Sequence, residues 1–97
     1  MRLGKVVGTV VATQKDENLV AAKLLVIQEM QVDGTLKDSY VVAVDTVGAG
    51  KGEVVLTVSG SSARLTAFTR DKPVDTAVVA IVDSVEVRGE ITYQKAA

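Results

Sequence analysis

The sequence predicts an all-β domain, a small five-stranded barrel with one short helix. Hydrophobic residues make up 47% of the 97 residues and aromatic residues only 3%, so the core must consist mainly of aliphatic side chains, many of them valines that favour strands. The apolar residues occur in short runs, and glycine, aspartate or proline stands between the runs. The length is that of one domain, so residues 1–97 are predicted to form a single unit.

The first strand is predicted at residues 3–12, LGKVVGTVVA, with Val6 and Val10 on one face and Val7 on the other. Gly8 interrupts this run where the strand bends or where another backbone approaches closely. Both faces of the strand are therefore mostly apolar.

The second strand is predicted at residues 23–30, KLLVIQEM. Its apolar residues would also suit a helix, but the segment is short and the dipeptide Asp33-Gly34 follows as a strong turn signal, so a strand is favoured. Residues 31–39 are expected to form a hairpin-like loop before the next apolar run.

The centre of the predicted fold is the stretch 40–64, which contains the run YVVAVDTV, the corner GAGKG and the run EVVLTV. Glycine takes positive φ without a Cβ clash, so the two runs are predicted to be strands joined by a tight turn. In the second run Val54, Leu56 and Val58 fall on one face, and Val55 is the exception to the alternation.

A short helix is predicted after this strand. Gly60 ends the strand, and Ser61 or Ser62 is expected to cap a helix at residues 63–65, because a serine oxygen accepts a bond from an unpaired N–H of the first turn. Residues 66–76 contain the only proline and are predicted to form a loop.

The last long strand is predicted at residues 77–87, AVVAIVDSVEV, and a short edge strand at residues 91–93 follows the break at Gly89. Five main strands and one short helix in under a hundred residues indicate a partly open antiparallel barrel of the oligonucleotide/oligosaccharide-binding type, an OB-like barrel. An immunoglobulin-like sandwich is the alternative, but it would need more strands.

The first, third and fifth predicted strands are apolar on both faces. Closing a barrel hides only the inner face, so about half a dozen aliphatic side chains would remain outside, each worth roughly 1.5–3 kcal/mol if buried. Large exposed apolar patches usually mark interfaces, so an oligomer is expected. The alternative is that loops and the short helix cover the outer face.

Composition disfavours several classes of function. The chain has no cysteine and no histidine, which removes thiol nucleophiles, Cys/His zinc sites and the side chain most used for acid–base catalysis near neutral pH. Its 11 basic and 12 acidic residues form no basic stripe for a phosphate backbone. The first twelve residues have too brief an apolar run for a signal peptide or membrane span, so a cytoplasmic location is expected.

The corner GAGKG suggests a phosphate-binding loop, but its details disagree. A Walker loop needs GxxxxGK followed by Ser or Thr, yet Asp45 stands at the first glycine and Gly52 follows Lys51. A dinucleotide-binding fingerprint needs its third glycine where Glu53 stands, and a helix after it. Turn geometry is the favoured interpretation.

Two other sets of side chains could hold ions. Ser61, Ser62 and Arg64 at a helix start could bind an anion, although a structural role as cap and turn, or pairing of Arg64 with an aspartate, is favoured. Three aspartates could suggest a hard-cation site, but they lack the regular spacing of a calcium loop, and solvation or salt bridging is favoured. These are Asp45, Asp75 and Asp83.

Val6, Gly8 and eight short segments, taken in order, carry a family resemblance. The segments are VVAT at 10–13, KLL at 23–25, VAVDTVGAG at 42–50, GE at 52–53, VL at 55–56, GSSAR at 60–64, PVD at 73–75 and IVD at 81–83. In this order and spacing the chain resembles the CcmL/EutN family, the pentameric vertex proteins of bacterial microcompartments. The resemblance runs from residue 1 to about residue 87, which leaves 88–97 as a variable C-terminal tail.

The resemblance implies an OB-like barrel that forms a homopentamer at the vertices of a polyhedral protein shell, beside hexameric shell proteins. A ring of five needs a heterologous interface, in which one surface of each subunit meets a different surface of the next. The implied role is geometric, with no catalysis, no cofactor and no metal.

The resemblance also motivates two site hypotheses. Val79 and Val82, as outward residues of the last long strand, are expected at the subunit interface. The glycine corner is expected near the five-fold axis, where small residues are favoured, and comprises Gly48, Ala49, Gly50 and Lys51.

Two other functions remain alternatives at this point. A nucleic-acid-binding barrel would need stacking aromatic residues, and Tyr40, Phe68 and Tyr93 are few and separated. An oligomeric ligand-binding module or regulatory subunit is the other alternative.

Overall fold

The computed structural model describes residues 1–12, 16–19, 22–66, 69 and 75–96, and the fold is built from seven strands. The strands are β1 Arg2–Val10, β2 Leu24–Met30, β3 Leu36–Asp45, β4 Val54–Ser59, β5 Thr76–Ile81, β6 Ser84–Val87 and β7 Glu90–Gln94. In these ranges the only helices are two short 3₁₀ helices, Glu17–Leu19 and Gly60–Arg64, and neither is long or apolar enough to cross a membrane. The predicted all-β class is confirmed.

Five of the strands close into a barrel in the order β1-β2-β3-β5-β4. Strand β4 returns to β1 and pairs with it antiparallel, which closes the barrel. One pair, β3 with β5, is parallel and is joined through Val44↔Ala77 and Asp45↔Val78. The predicted five-stranded barrel is therefore confirmed, but it is closed and it is not antiparallel throughout.

The glycine corner does not join a hairpin, so that prediction is wrong. Strand β3 pairs with β2 and β5, whereas β4 pairs with β1 and β5. The corner therefore connects two strands that are separated in the barrel by β5. A glycine-rich turn is a local signal, but the partner of each strand is chosen by barrel closure.

The predicted long strand at 77–87 is two strands in two different sheets. Strand β5 ends at Ile81, and β6 pairs with β7 in a separate two-stranded sheet, here called the C-terminal hairpin. Two backbone bonds tie this junction to its neighbours, Val82 N–H to the Val54 carbonyl at 2.8 Å and Lys95 N–H to the Asp83 carbonyl at 2.8 Å. The predicted edge strand at 91–93 falls within β7.

The hairpin between β2 and β3 has the predicted turn but a shorter loop. Asp33 Oδ1 accepts a hydrogen bond from the Thr35 N–H at 2.9 Å, which fixes the turn, and Gly34 has a φ of 91°. Strand β3 begins at Leu36, several residues before the apolar run. The predicted loop at 66–76 lies largely outside the described residues.

A β-bulge in β1 changes which valines face the core. Val6 pairs with Ile27 and Gly8 pairs with Val26, so Val7 is an extra residue in β1. Because one extra residue reverses the alternation, Val6 points into the core while Val10 points outward. The expectation that they share a face is wrong.

The barrel interior is filled by small and branched aliphatic side chains. In β4 both Val54 and Val55 are buried, and Val55, the residue that broke the predicted alternation, belongs to the central cluster, whereas Leu56 is only partly buried. The central cluster, all of it buried, comprises Val6, Leu25, Ile27, Ala43, Ala49, Val55 and Val78.

Candidate functional site: the glycine corner and the outer barrel surface

The corner GAGKG lies in the loop of residues 46–53 between β3 and β4, and this loop is held at its start by a buried carboxylate. Asp45 is 7% exposed, and its Oδ1 accepts hydrogen bonds from the Val47 and Gly48 N–H groups, both at 3.1 Å. An aspartate that bonds the backbone two and three residues ahead makes an Asx-type turn. The solvation or salt bridging favoured for Asp45 from the sequence is therefore wrong, because its buried carboxylate bonds the backbone of its own loop.

A second carboxylate holds the end of the corner. Glu53 Oε1 accepts from the Gly50 N–H at 2.6 Å, and Glu53 Oε2 accepts from Lys95 Nζ at 2.8 Å. The hydrogen bond from Lys95, followed by that from Gly50, lowers the pKa of Glu53 below its usual 4.5, and the same contact with Glu53 raises the pKa of Lys95 above 10.5. Glu53 thus links the corner to the C-terminal hairpin.

The middle of the corner is anchored to the barrel itself. The Ala49 side chain is fully buried in the central cluster, and its carbonyl accepts from Lys23 Nζ at 3.1 Å. Gly48 and Gly52 have φ angles of 75° and 88°, a left-handed backbone conformation that residues with a side chain rarely adopt. Of the four residues predicted at the five-fold axis, Gly48 and Lys51 are exposed, whereas the Ala49 methyl group faces its own core.

The corner does not present a phosphate cradle. The N–H groups of Val47, Gly48 and Gly50 all donate to carboxylates of the same chain, and the Gly52 N–H donates to the Val6 carbonyl at 2.8 Å. An anion at this site would have to displace an aspartate or glutamate. The turn interpretation made from the sequence is therefore the one that the geometry favours.

The other ion-binding candidates are not assembled into a site. Asp75 and Asp83 are exposed while Asp45 is buried and engaged with its own backbone. Within the described part of the chain, no three His, Cys, Asp or Glu residues come together as metal ligands. Ser61 lies inside the Gly60–Arg64 helix rather than before it, and the side chains of Ser62 and Arg64 are outside what the structure describes, so their roles as cap and turn stay predictions.

Of the two valines predicted at the subunit interface as residues of one long strand, Val79 lies in β5 and Val82 is the first residue after that strand ends. Val79 is partly exposed and is the extra residue of a bulge, because Val78 pairs with Thr57 and Ala80 with Leu56. Val82 is also partly exposed, at the point where the chain leaves the barrel for the C-terminal hairpin. Neither is fully covered by the subunit, which is compatible with an interface.

Aliphatic and aromatic side chains also remain on the outside of β3. Tyr40 is 57% and Val42 47% exposed, although both belong to the apolar run YVVAV. No structural role was predicted from the sequence for Lys23, Glu53 or Lys95. Their contacts join residues 26 and 42 positions apart, and no local pattern reports such a pairing.

Comparison with known proteins gives a consistent result. A family model described as "Ethanolamine utilisation protein EutN/carboxysome" matches residues 1–83. The chain is 46% identical over 95 residues to the carboxysome shell vertex protein CcmL of Thermosynechococcus vestitus, covering 98% of this chain and 96% of that protein.

Solved structures agree with the sequence comparison. The structure of Gloeobacter violaceus CcmL has a TM-score of 0.94 and 42% identity, covering 98% of each chain. A structure described as the GrpN pentameric microcompartment shell protein from Rhodospirillum rubrum has a TM-score of 0.82 and 49% identity, covering 90% of this chain and 99% of that one.

Proposed function

The chain belongs to the EutN/CcmL family, and we propose that it is a structural shell protein that forms homopentamers and caps the vertices of a polyhedral bacterial microcompartment. The observation that carries the proposal is its similarity, along nearly the whole of both chains, to relatives named as shell vertex proteins, one of them described as pentameric. The names of these relatives favour a shell role over the alternative of a nucleic-acid- or ligand-binding module.

The role is geometric. A flat lattice of six-sided tiles closes into a polyhedron only if five-fold points are introduced, and a ring of five copies supplies such a point. The ring requires a heterologous interface whose rotation closes after five copies. The partners in this proposal are other copies of the chain and the hexameric shell proteins around the vertex, and its location is the microcompartment shell in the cytoplasm.

The proposal includes no catalytic activity. The sequence has no histidine or cysteine, and the carboxylates of the corner are engaged with backbone N–H groups and a lysine of the same chain. Such groups are positioned to fix a loop rather than to act on a substrate. The chain therefore supplies shape and closure, with no cofactor.

Two surfaces are assigned to the ring as part of this proposal. The corner is placed near the five-fold axis, with Gly48 and Lys51 as its exposed residues and Ala49 contributing backbone only. Val79 and Val82 are placed at the seam between subunits. Residues 88–97 form the variable part of the single domain, anchored through the ion pair between Lys95 and Glu53.

Shell assembly with and without the chain tests the proposal. We expect hexameric shell proteins of the same host to form closed polyhedral particles when co-expressed with the chain, and open sheets or tubes without it, as seen by electron microscopy. A variant that stays monomeric should behave like the omission. Closed particles that form equally well without the chain, or that exclude it, would contradict the vertex role.

A further inference from the structure

The C-terminal hairpin lies against the outside of the barrel. Lys5 of β1 pairs with Val54 of β4, and in the next row Gly4 pairs with Val55. Because Val55 belongs to the central cluster and side chains alternate along a strand, Lys5 and Val54 point to the outer surface. Val54 is nevertheless only 1% exposed, and its carbonyl accepts a bond from the Val82 N–H just before the hairpin. The segment that leaves the barrel therefore covers part of the barrel's outer surface.

The hairpin is seated by contacts at two places. The Thr92 hydroxyl donates to the Val32 carbonyl at 2.6 Å, and a Cβ added at Gly34 would lie only 2.7 Å from the Thr92 carbonyl oxygen, so the two backbones touch at the turn between β2 and β3. The ion pair between Lys95 and Glu53, at 2.8 Å, fixes the hairpin at the corner. The space between hairpin and barrel therefore has walls that are already in place.

A cavity of about 150 Å³ lies in this space. Its apolar walls are the side chains of Met30, Leu36 and Val54 and the aromatic ring of Tyr93. Met30 and Val54 are only 7% and 1% exposed, although neither belongs to the central cluster of the barrel. A cavity of this volume accommodates a molecule of the size of benzene, with about six non-hydrogen atoms.

One charged side chain, that of Lys5, lines the same cavity. Among the residues that the structure describes, the Lys5 ammonium group has no hydrogen bond and no ion pair, whereas Lys37 and Lys95 each pair with a glutamate. The nearby pair of Lys95 with Glu53 is neutral overall, so Lys5 gives the cavity a single positive charge. Mostly apolar walls with a few polar groups that fix the orientation of a ligand are typical of small-molecule sites.

We propose that this cavity binds a small aliphatic monocarboxylate of about four carbons. Its carboxylate bonds the Lys5 ammonium group, and its alkyl chain packs against Met30 and Val54. A monoanion matches the single unpaired cation, whereas a dianion would bring a second charge against apolar walls with nothing to pair it. The site is built within one subunit, so it is additional to the shell role and does not depend on the number of copies in the ring.

Methyl NMR of protein labelled at methionine tests the proposal with butyrate as the probe. The chain has two methionines, Met30 in the cavity wall and Met1, which is 87% exposed and serves as the internal control. Butyrate should shift the Met30 methyl signal saturably, with a Kd of about 1 mM or tighter, and leave Met1 unchanged. Neutral butyramide should bind about tenfold more weakly for want of the charge, and acetate about tenfold more weakly for want of two methylene groups. No saturable shift of Met30 up to about 100 mM butyrate, or equal affinity for butyramide, overturns the proposal.

Two lysine variants separate the site from the general charge of the protein. Lys5→Met keeps an unbranched side chain but removes the ammonium group, so butyrate should bind about tenfold more weakly while butyramide binds as before. Lys51→Met is the matched control, because it removes the same charge from an exposed residue of the nearby corner, and butyrate should bind it as it binds the wild type. An equal loss in both variants overturns the assignment to Lys5. If Lys5→Met does not fold, the comparison of butyrate with butyramide on the wild type decides. The titration is valid for a ring or a monomer, so failure of the vertex role leaves its result intact.

Discussion

Removing the Asp45 side chain should destabilise the fold through the glycine corner. Asp45→Ala leaves the Val47 and Gly48 N–H groups without the oxygen that accepts from both at 3.1 Å. Because Asp45 is only 7% exposed, water cannot fully replace that acceptor. Asp45→Asn keeps a neutral oxygen at the same place and should be the milder change.

The magnitude follows from the two hydrogen bonds. A bond to a charged group contributes about 1.5–3 kcal/mol, and deleting the carboxylate also ends the cost of burying it, so we expect a net loss of about 2–4 kcal/mol for Asp45→Ala. Asparagine retains two neutral bonds of about 1 kcal/mol each, so the loss for Asp45→Asn should be about 2 kcal/mol smaller than that for Asp45→Ala. The loss for Asp45→Ala is a large part of a domain stability of about 5–15 kcal/mol.

Urea denaturation followed by circular dichroism measures these differences. All variants must be compared at one protein concentration, because assembly stabilises the folded subunit by mass action. Asp38→Ala is the control, since Asp38 is an exposed aspartate on the same strand and should change stability by no more than about 0.5 kcal/mol. If Asp45→Ala matched Asp38→Ala, the carboxylate would not be what holds the corner.

Three further outcomes are expected. Lys95→Met should destabilise the fold modestly. Its difference from wild type in free energy of unfolding should shrink as pH falls below 4.5, because Glu53, whose pKa is lowered in the folded state, stabilises the fold only while it is ionised. The difference should shrink again as pH rises above 10.5, because Lys95, whose pKa is raised in the folded state, then loses its proton. A constant difference across acid and alkaline denaturation would contradict the ion pair. Gly52→Ala should cost about 1–2 kcal/mol in urea denaturation, because its φ of 88° is left-handed, and a neutral result would refute that conformation. Arg88→Asn should raise the urea midpoint, since Arg88 has a φ of 55° in the turn before Gly89 and asparagine tolerates that region better; a lowered midpoint would show that the arginine side chain stabilises the hairpin.

The strands themselves were predictable because valine-rich runs separated by turn residues are a local signal. β4 was placed within a residue, and the Asp33-Gly34 turn was correctly read. Strand partnership was not predictable in the same way. The corner looked like a hairpin turn, yet β5 inserts between the two strands that the corner connects.

The bulge in β1 and the change of sheet after β5 also could not be predicted from the alternation of apolar residues. The extra residue Val7 reverses the alternation of β1, and although Gly8 beside it predicted a bend, the sequence does not show that a residue is inserted there. The break at Val82 has no glycine or proline to announce it, because it reflects the chain leaving the barrel for a separate hairpin. The role of Asp45 could have been predicted locally, since an aspartate commonly accepts a hydrogen bond from the backbone N–H two residues ahead in a turn. The pairing of Glu53 with Lys95 spans 42 positions, so no local pattern could predict it.

The mass of the native protein in solution tests the central claim most directly. A chain of 10.1 kDa that closes a heterologous ring of five should have a mass of about 50 kDa by native mass spectrometry and by light scattering at micromolar concentration. We expect that single species, with no open oligomers of other sizes. A stable monomer, or a closed ring of a different number of copies, would contradict the role at a five-fold vertex.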